Sequence, residues 1–138
     1  MTRIYLDSCV IIYLVENAPR AQQVVAFLQN YPDHIQLSSN LALMECLVAP
    51  LRTGNTLLVR AYETYFDTMQ MIPSRQSVFR QAAELRAHLK SLSVPDALHT
   101  AHALVGECDL LLTGDKRLAN AWSQYRPSTP RTLQIVGI

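Results

Sequence analysis

The chain contains no long hydrophobic run. Its longest apolar stretch, Cys9–Val15, is too short to span a bilayer, and Glu16 closes it without a cleavage site of small residues. Cysteine is scarce as well, since the three residues are far apart, odd in number and form no C-x-x-C. We therefore expect a cytoplasmic protein without a membrane segment or signal peptide. Cys9, Cys46 and Cys108 should be buried, reduced thiols in apolar surroundings rather than parts of a disulfide or a zinc site.

The sequence also lacks the motifs of several common enzyme classes. It has no P-loop, no nucleotide-binding G-x-G-x-x-G and no G-x-S-x-G elbow. The formal net charge is only +1, so composition alone does not indicate a nucleic-acid binder. Lysine occurs only at positions 90 and 116, and the other basic residues are arginines. Arginine suits bidentate phosphate contacts, but it serves equally on a solvated helix surface.

What the chain does contain is an alternation of strand and helix patterns. Its 138 residues, 49% apolar and 17% charged, are enough for one globular domain over residues 1–138. Short strands separated by helices indicate a mainly parallel sheet with helices on both faces. We predict strands at 3–6, 34–37, 71–72, 110–113 and 133–136, and an irregular loop at 126–131. Helices are predicted at 8–16, 19–31, 55–69, 78–92, 95–105 and 115–122, with another that carries Glu45, is capped by Ser38 or Ser39 and ends at Pro50 and Gly54.

Three acidic residues lie where strands end or helices begin. Asp7 and Asp115 follow the predicted strands at 3–6 and 110–113, and Asp96 follows Pro95 at the start of a helix. Each has an ordinary structural explanation. Asp7 and Asp115 could cap the helices that follow them, and Asp96 could complete a capping box begun by Ser93.

Glu45 is the acidic residue that helix capping does not explain. It lies well inside its helix, with Leu41 and Val48 on the same face. Burying an unpaired carboxylate there would cost on the order of several kcal/mol, so Glu45 requires a partner. Positions just past the carboxyl ends of parallel strands converge on one crevice, where carboxylates repel one another unless a cation lies among them. The four acidic residues therefore indicate a hard divalent metal ion and chemistry on phosphates.

Four segments that contain these residues resemble the PIN domain family, and within it the VapC-like toxins of bacterial toxin–antitoxin pairs. The segments are 5–14 (YLDSCVIIYL), 43–51 (LMECLVAPL), 94–104 (VPDALHTAHAL) and 111–118 (LLTGDKRL). The resemblance covers nearly the whole chain. It implies a three-layer α/β/α sandwich, a Mg²⁺- or Mn²⁺-dependent endoribonuclease acting on RNA, a small antitoxin protein as partner and a homodimer. Asp7, Glu45, Asp96 and Asp115 match the acidic quartet of the family, while Ser8 and Thr113 match its hydroxyl positions, with Ser8 where Thr is more familiar.

The acidic residues are expected to divide the chemistry among them. An all-oxygen ligand set favours Mg²⁺ or Mn²⁺ over zinc. We expect Asp7 and Asp96 to be the main metal ligands and Asp115 to support the first or a second ion. Glu45 would hold or deprotonate the attacking water, which should leave a 5′-phosphate and a 3′-hydroxyl. The carboxyls of Asp7, Glu45 and Asp96 should therefore lie within about 8 Å of one another.

Neighbouring residues have supporting roles in this prediction. The hydroxyls of Ser8 and Thr113 would orient carboxylates or waters. Lys116 and Arg117 would contact substrate phosphates. We expect His99 to pack or hydrogen-bond behind the site.

Several alternatives remain open. A PIN-like module could bind RNA or protein without cutting it. Asp96, His99 and His102 could form a zinc triad, although three ligands spread over nearly two helical turns diverge. A phosphatase with Asp7 as nucleophile is disfavoured, because Cys9 stands where a second Asp is needed.

The homodimer also has support from one helix. Tyr62, Tyr65, Phe66 and Met69 lie on one face of the helix predicted at 55–69, and their apolar area exceeds what one small domain readily covers. The alternative is that these side chains complete the core of the monomer.

Overall fold

The computed structural model describes residues 1–125 and 133–138, so the loop predicted at 126–131 lies outside the described residues. Strands and helices alternate along the described chain, close to the predicted pattern. The strands are β1 (Arg3–Leu6), β2 (Ile35–Ser38), β3 (Gln70–Met71), β4 (Leu110–Thr113) and β5 (Gln134–Gly137). The helices are α1 (Ser8–Val15), α2 (Ala21–Leu28), α3 (Asn40–Thr53), α4 (Thr56–Asp67), α5 (Gln76–His88), α6 (Val94–Val105) and α7 (Lys116–Gln124).

The strands form one sheet in the order β3-β2-β1-β4-β5. Every strand pairing in the described residues is parallel, and in the centre of the sheet Tyr5 pairs with Leu37 on one side and Leu111 on the other. The chain moves outward from β1 to β3 and then returns to β4 on the other side of β1. The carboxyl ends of β1 and β4 therefore flank the topological switch point, where open α/β sheets place their ligand sites.

Helices cover both faces of the sheet. Tyr5 and Leu111 point into a core formed with α5, α6 and α7, whereas Leu6 and Leu112 point into a core formed with α1, α2, α3 and α4. Adjacent residues of a strand face opposite sides, so each central strand contributes to both cores. The predicted three-layer α/β/α sandwich is confirmed.

Some helix ends agree with the prediction and others differ from it. Helix α3 contains Pro50 and continues to Thr53, where Gly54 ends it in the left-handed conformation with φ of +70°. The helix predicted at 78–92 ends at His88, and the Leu92 amide donates to the Leu89 carbonyl in the turn that follows. Leu92 is nevertheless buried. A turn that folds back over the core extends the apolar periodicity beyond the helix itself.

The apolar side chains of α4 that were expected to form a dimer surface pack within this chain. Tyr62, Phe66 and Met69 are buried in the core of this chain, and the Tyr65 hydroxyl donates to Gln36 Oε1 at 2.7 Å. The argument for a homodimer from this face is therefore wrong, because the side chains complete the monomer. The homodimer stays a prediction that rests on the family resemblance.

One cysteine also departs from the expectation. Cys46 and Cys108 are buried as predicted, but Cys9 is exposed, in the first turn of α1. Its Cβ lies beside Gly114, at the edge of the sheet where Asp7 lies. Among the described helices, none is long and apolar enough to cross a membrane.

Candidate active site

Asp7 is held at the junction of β1 and α1. Its Oδ1 accepts a hydrogen bond from the Val10 amide at 3.2 Å, so Asp7 caps α1. Helix capping was the structural explanation offered for Asp7 from the sequence. The residue is only 5% exposed. Burial raises the pKa of Asp7, the Thr113 hydroxyl and His99 oppose the shift, and the charge of Asp96 adds to it. Asp7 is therefore a helix cap and also a buried carboxylate close to a second one.

Asp96 lies in the first turn of α6. Ser93 caps this helix and accepts from the Asp96 amide at 3.2 Å. Burial raises the pKa of the Asp96 carboxyl, the Ser93 hydroxyl lowers it, and the charges of Asp115 and Glu45 raise it further. Asp96 thus interacts with each of the other three acidic residues, which are Asp7, Glu45 and Asp115.

Asp115 follows β4 and caps α7. Its Oδ1 accepts from the Arg117 amide at 2.9 Å, and the Arg117 guanidinium lies 3.4 Å away. The Thr113 hydroxyl accepts from the Asp115 amide at 3.0 Å and also interacts with Asp7. Thr113 therefore lies between the two carboxylates that follow β1 and β4.

Glu45 lies in the second turn of α3, where its side chain is 27% exposed. The helix face around it is less buried than the sequence suggests, because Val48 is 42% exposed. Its partner is His99, whose Nε2 lies 2.6 Å from Glu45 Oε1. Partial burial raises the pKa of Glu45, but the hydrogen bond and charge of His99, with help from the Ser8 hydroxyl, outweigh it, so the net pKa is lowered. The predicted need for a partner is met by a histidine.

Behind Glu45 is a chain of buried polar side chains. His99 Nδ1 lies 2.7 Å from the Tyr5 hydroxyl, which lies 2.7 Å from Ser39 Oγ. The expectation that His99 hydrogen-bonds behind the site is confirmed, but its partners were not predicted. A polar residue in the buried strand 3–6 was the available signal, since a buried tyrosine hydroxyl needs a hydrogen-bond partner.

The zinc triad is wrong. His99 is occupied by Glu45 and Tyr5, while His102 Nδ1 faces the Leu98 carbonyl at 2.7 Å and its Nε2 lies 2.8 Å from Ser74 Oγ. The two rings therefore have different hydrogen-bond partners, although both lie against the Tyr5 ring. Within residues 1–125 and 133–138, no three His, Cys, Asp or Glu side chains are arranged so that they could hold a metal ion.

The donor chemistry of the acidic group nevertheless suits a hard divalent cation. All four groups present carboxylate oxygens, which Mg²⁺ and Mn²⁺ prefer. The charge of Asp96 raises the pKa of Asp7, and the charges of Asp115 and Glu45 raise the pKa of Asp96, so a cation would offset the cost of ionising these groups. Because the described side chains do not form a closed ligand set, binding a metal through several of them would require them to move closer together.

A cleft of about 400 Å³ opens beside Asp96 and Asp115. The Arg117 side chain is 93% exposed and lines this cleft, and Lys116 is exposed at the start of α7. The serines of the turn before α6 line the opposite part. The two cations predicted to contact substrate thus lie next to the acidic group, with one of them paired to Asp115.

Taken together, the features define a parallel α/β domain with a carboxylate site at its switch point. The sequence matches the PIN domain over residues 4–122. The chain belongs to the PIN domain family.

Solved structures share this fold. One is VapBC2 from Rickettsia felis bound to a DNA fragment from their promoter, with a TM-score of 0.74 and 14% identity over 99% of this chain and 98% of that chain. VapBC-1 from nontypeable Haemophilus influenzae has a TM-score of 0.67 and 20% sequence identity, over 99% of this chain and 98% of that chain. A toxin–antitoxin complex from Klebsiella pneumoniae has a TM-score of 0.67 and 22% sequence identity, over 83% of this chain and 88% of that chain. At these identities the likeness establishes the fold. No curated protein gives a match.

Proposed function

We propose that this chain is a Mg²⁺- or Mn²⁺-dependent endoribonuclease and the toxin of a toxin–antitoxin pair. The observation that carries the proposal is the meeting of Asp7, Glu45, Asp96 and Asp115 at the carboxyl edge of a PIN domain sheet. Burial and the charges of neighbouring carboxylates raise the pKa of Asp7 and Asp96, so keeping these two groups ionised at this edge is costly for stability. Functional sites are where such costs are retained.

Asp7, Asp96 and Asp115 would hold the metal. When bound, the ion supplies positive charge that activates a water and stabilises the scissile phosphate. Glu45, whose pKa is lowered, is ionised at neutral pH and can accept a hydrogen bond and then a proton from the attacking water. As the water oxygen bonds to phosphorus, the bond to the 3′ oxygen breaks, and the departing 3′ oxygen takes a proton from solvent water, which leaves a 5′-phosphate and a 3′-hydroxyl.

Hydroxyls and cations around the carboxylates have distinct parts in this proposal. The Ser8 hydroxyl acts on the Glu45 carboxyl, and the Thr113 hydroxyl acts on the Asp7 carboxyl and accepts from the Asp115 amide. The contacts with Glu45 and Asp7 would restrict how those two carboxylates rotate. Lys116 and Arg117 would contact phosphates of an RNA strand that passes through the cleft beside Asp115.

The partner we propose is a small antitoxin that places a basic side chain against the carboxylates. The structures with this fold include VapBC proteins and a toxin–antitoxin complex. An arginine guanidinium pairs bidentately with carboxylate and would take the place of the metal's positive charge. A homodimer is also proposed, on the family resemblance alone, and a mass measured by light scattering at micromolar concentration tests it.

The direct test is to purify the chain without its partner, incubate it with total RNA and Mg²⁺, and map the ends. Cleavage with 5′-phosphate ends that stops in EDTA supports the proposal. RNA binding without cleavage would favour a non-catalytic PIN module instead. Cleavage that persists in EDTA would contradict metal dependence.

A further inference from the structure

The hydrogen-bonded chain behind Glu45 connects the two helical layers. Glu45 projects from α3 on one face of the sheet, and His99 projects from α6 on the other, so their contact of 2.6 Å passes over the carboxyl edge. His99 is 4% exposed and Tyr5 is fully buried. Tyr5 lies on β1, two residues before Asp7. The chain therefore links Glu45 to the strand that ends in Asp7.

The direction of the hydrogen bonds follows from the acids at each end. Burial raises the pKa of Tyr5, so its hydroxyl keeps its proton. If Tyr5 donates to His99 Nδ1, the neutral imidazole carries its hydrogen on Nε2 and donates to Glu45. If His99 Nδ1 instead donated to Tyr5, the neutral ring would have no hydrogen on Nε2. Its lone pair would then lie 2.6 Å from an ionised carboxylate, which is repulsive. A doubly protonated ring would also donate from Nε2, so either allowed state presents an N–H to Glu45.

This contact restrains a flexible side chain. A glutamate has three rotatable side-chain bonds, and fixing them costs conformational entropy. A hydrogen bond to an ionised acceptor from a buried, rigid donor is strong enough to offset that cost. The Ser8 hydroxyl is the other group that acts on the Glu45 carboxyl.

We propose that Tyr5 and His99 are positioning residues that fix the carboxylate of Glu45 in its working orientation relative to Asp7. The proposal rests on the function proposed above. Both side chains are buried away from solvent, so their effect would be transmitted through Glu45. The water that Glu45 orients is then placed by three buried groups, Ser39, Tyr5 and His99, rather than by a single glutamate.

The same helix offers a matched control. His102 is also on α6, is 1% exposed and stacks on the Tyr5 ring, but its hydrogen bonds join it to Ser74 and the Leu98 carbonyl instead of an acidic residue. Replacing either histidine by leucine removes buried hydrogen bonds and should lower stability. Only the replacement of His99 should impair the reaction.

The kinetic experiment compares His99→Leu, His99→Gln, Tyr5→Phe and His102→Leu by kcat and KM on one RNA substrate. We expect His99→Leu to lower kcat by about 10- to 100-fold with little change in KM, because the role is in orientation and not in binding. His99→Gln keeps an N–H donor and should recover most of the loss. Tyr5→Phe should lower kcat less than His99→Leu does, and His102→Leu should not lower it.

A double-mutant cycle then asks whether His99 acts through Glu45. In the Glu45→Gln background, His99→Leu should cause no further loss. An equal loss in both backgrounds, or a loss with His102→Leu that matches that of His99→Leu, would overturn the proposal.

A measurement on the protein alone separates this proposal from the proposed function. Long-range ¹H–¹⁵N correlation spectra should show a protonated Nε2 on His99, and Tyr5→Phe should shift the Nδ1 resonance. A bare Nε2 on His99 would overturn the positioning proposal whatever the activity. If the expected spectra occur but the parent protein cuts no RNA, the hydrogen-bonded chain holds and the proposed function is what fails.

Discussion

Acidic residues have different surroundings at the amino and carboxyl edges of the sheet. At the amino edge, exposed Asp109 precedes β4 and its Oδ2 accepts from the Arg3 amide at 2.8 Å. The Arg3 guanidinium reaches the Gly106 carbonyl with two N–H groups, at 2.8 and 3.2 Å. One acid and one cation, each with hydrogen-bond partners, tie this edge together.

The carboxyl edge collects four acids with little opposing charge. Burial raises the pKa of Asp7 and Asp96, and repulsion from neighbouring carboxylates raises it further. The ion pairs found there in the described residues are Arg117 with Asp115, at an exposed position, and His99 with Glu45. The amino edge is therefore built for stability, whereas the carboxyl edge carries an electrostatic cost that a bound cation would offset.

The largest expected effect comes from removing one acid at each edge in turn. Asp7→Asn and Asp96→Asn should each lower RNA cleavage by at least about 100-fold, because each removes a charged metal ligand. Asp109→Asn is the matched control and should cleave as the parent does. Cleavage by Asp7→Asn at the parental rate would contradict the assignment of Asp7 as a metal ligand.

A competition experiment tests whether Mg²⁺ and the antitoxin bind to the same carboxylates. If the antitoxin places a guanidinium among the carboxylates, Mg²⁺ at ten times its dissociation constant should raise the apparent inhibition constant by about tenfold. The titration must be made at fixed ionic strength, so that general screening does not contribute. Inhibition that does not respond to Mg²⁺ would show that the partner binds elsewhere.

The cations beside the acidic edge should act on binding rather than on chemistry. Lys116→Ala and Arg117→Ala, made singly, should raise KM by about three- to tenfold with kcat nearly unchanged, because each removes a phosphate contact. The slope of log KM against log salt should fall by about 0.7 per contact removed from a single strand. Arg80→Ala on α5, where Arg80 pairs with Glu84, serves as the control. A change in kcat alone would contradict the assignment.

The smallest effect is on stability, and it has the opposite sign from the effect on activity. Folding raises the pKa of Asp7 above its ordinary value of 3.8, so its favourable contribution is complete below that pH and is lost as pH rises through the folded value. Asp7→Asn keeps a capping oxygen but removes the charge. In EDTA, the variant should exceed the parent in Tm by about 2 to 5 °C at pH 7.5, with a smaller difference at pH 3.5.

Calorimetry at the two pH values checks this prediction. Asp109→Asn should show no such gain at pH 7.5, because Asp109 is exposed and accepts a hydrogen bond. A lower Tm for Asp7→Asn at pH 7.5 would mean that the carboxylate stabilises the fold.

Much of the fold could be predicted from the sequence, because short apolar strands bounded by polar residues leave few arrangements in a chain of this size. The strand at 110–113 and the end of α3 at Gly54 were located to the residue. The end of α5 was not, since apolar periodicity reports burial, and Leu92 is buried from a turn. The face of α4 was misjudged for a related reason, because periodicity does not say what covers a face.

The sequence predicts the acidic residues of the candidate site, but not the side chains that hold them in place. Asp7, Asp96 and Asp115 are tied to strand or helix ends, which local patterns locate. Glu45 was correctly given a partner, but His99 comes from the opposite layer of the sandwich. Contacts between residues so far apart in the chain depend on packing that no local pattern contains.

The central claim is that the carboxyl edge binds a divalent cation. Titration with Mn²⁺, followed by the electron paramagnetic resonance signal of the free ion, tests it without RNA or activity. We expect Mn²⁺ to bind the parent and Asp109→Asn equally well, and to bind Asp96→Asn at least about tenfold more weakly. Absence of binding to the parent at millimolar Mn²⁺, or equal binding to all three proteins, would contradict it.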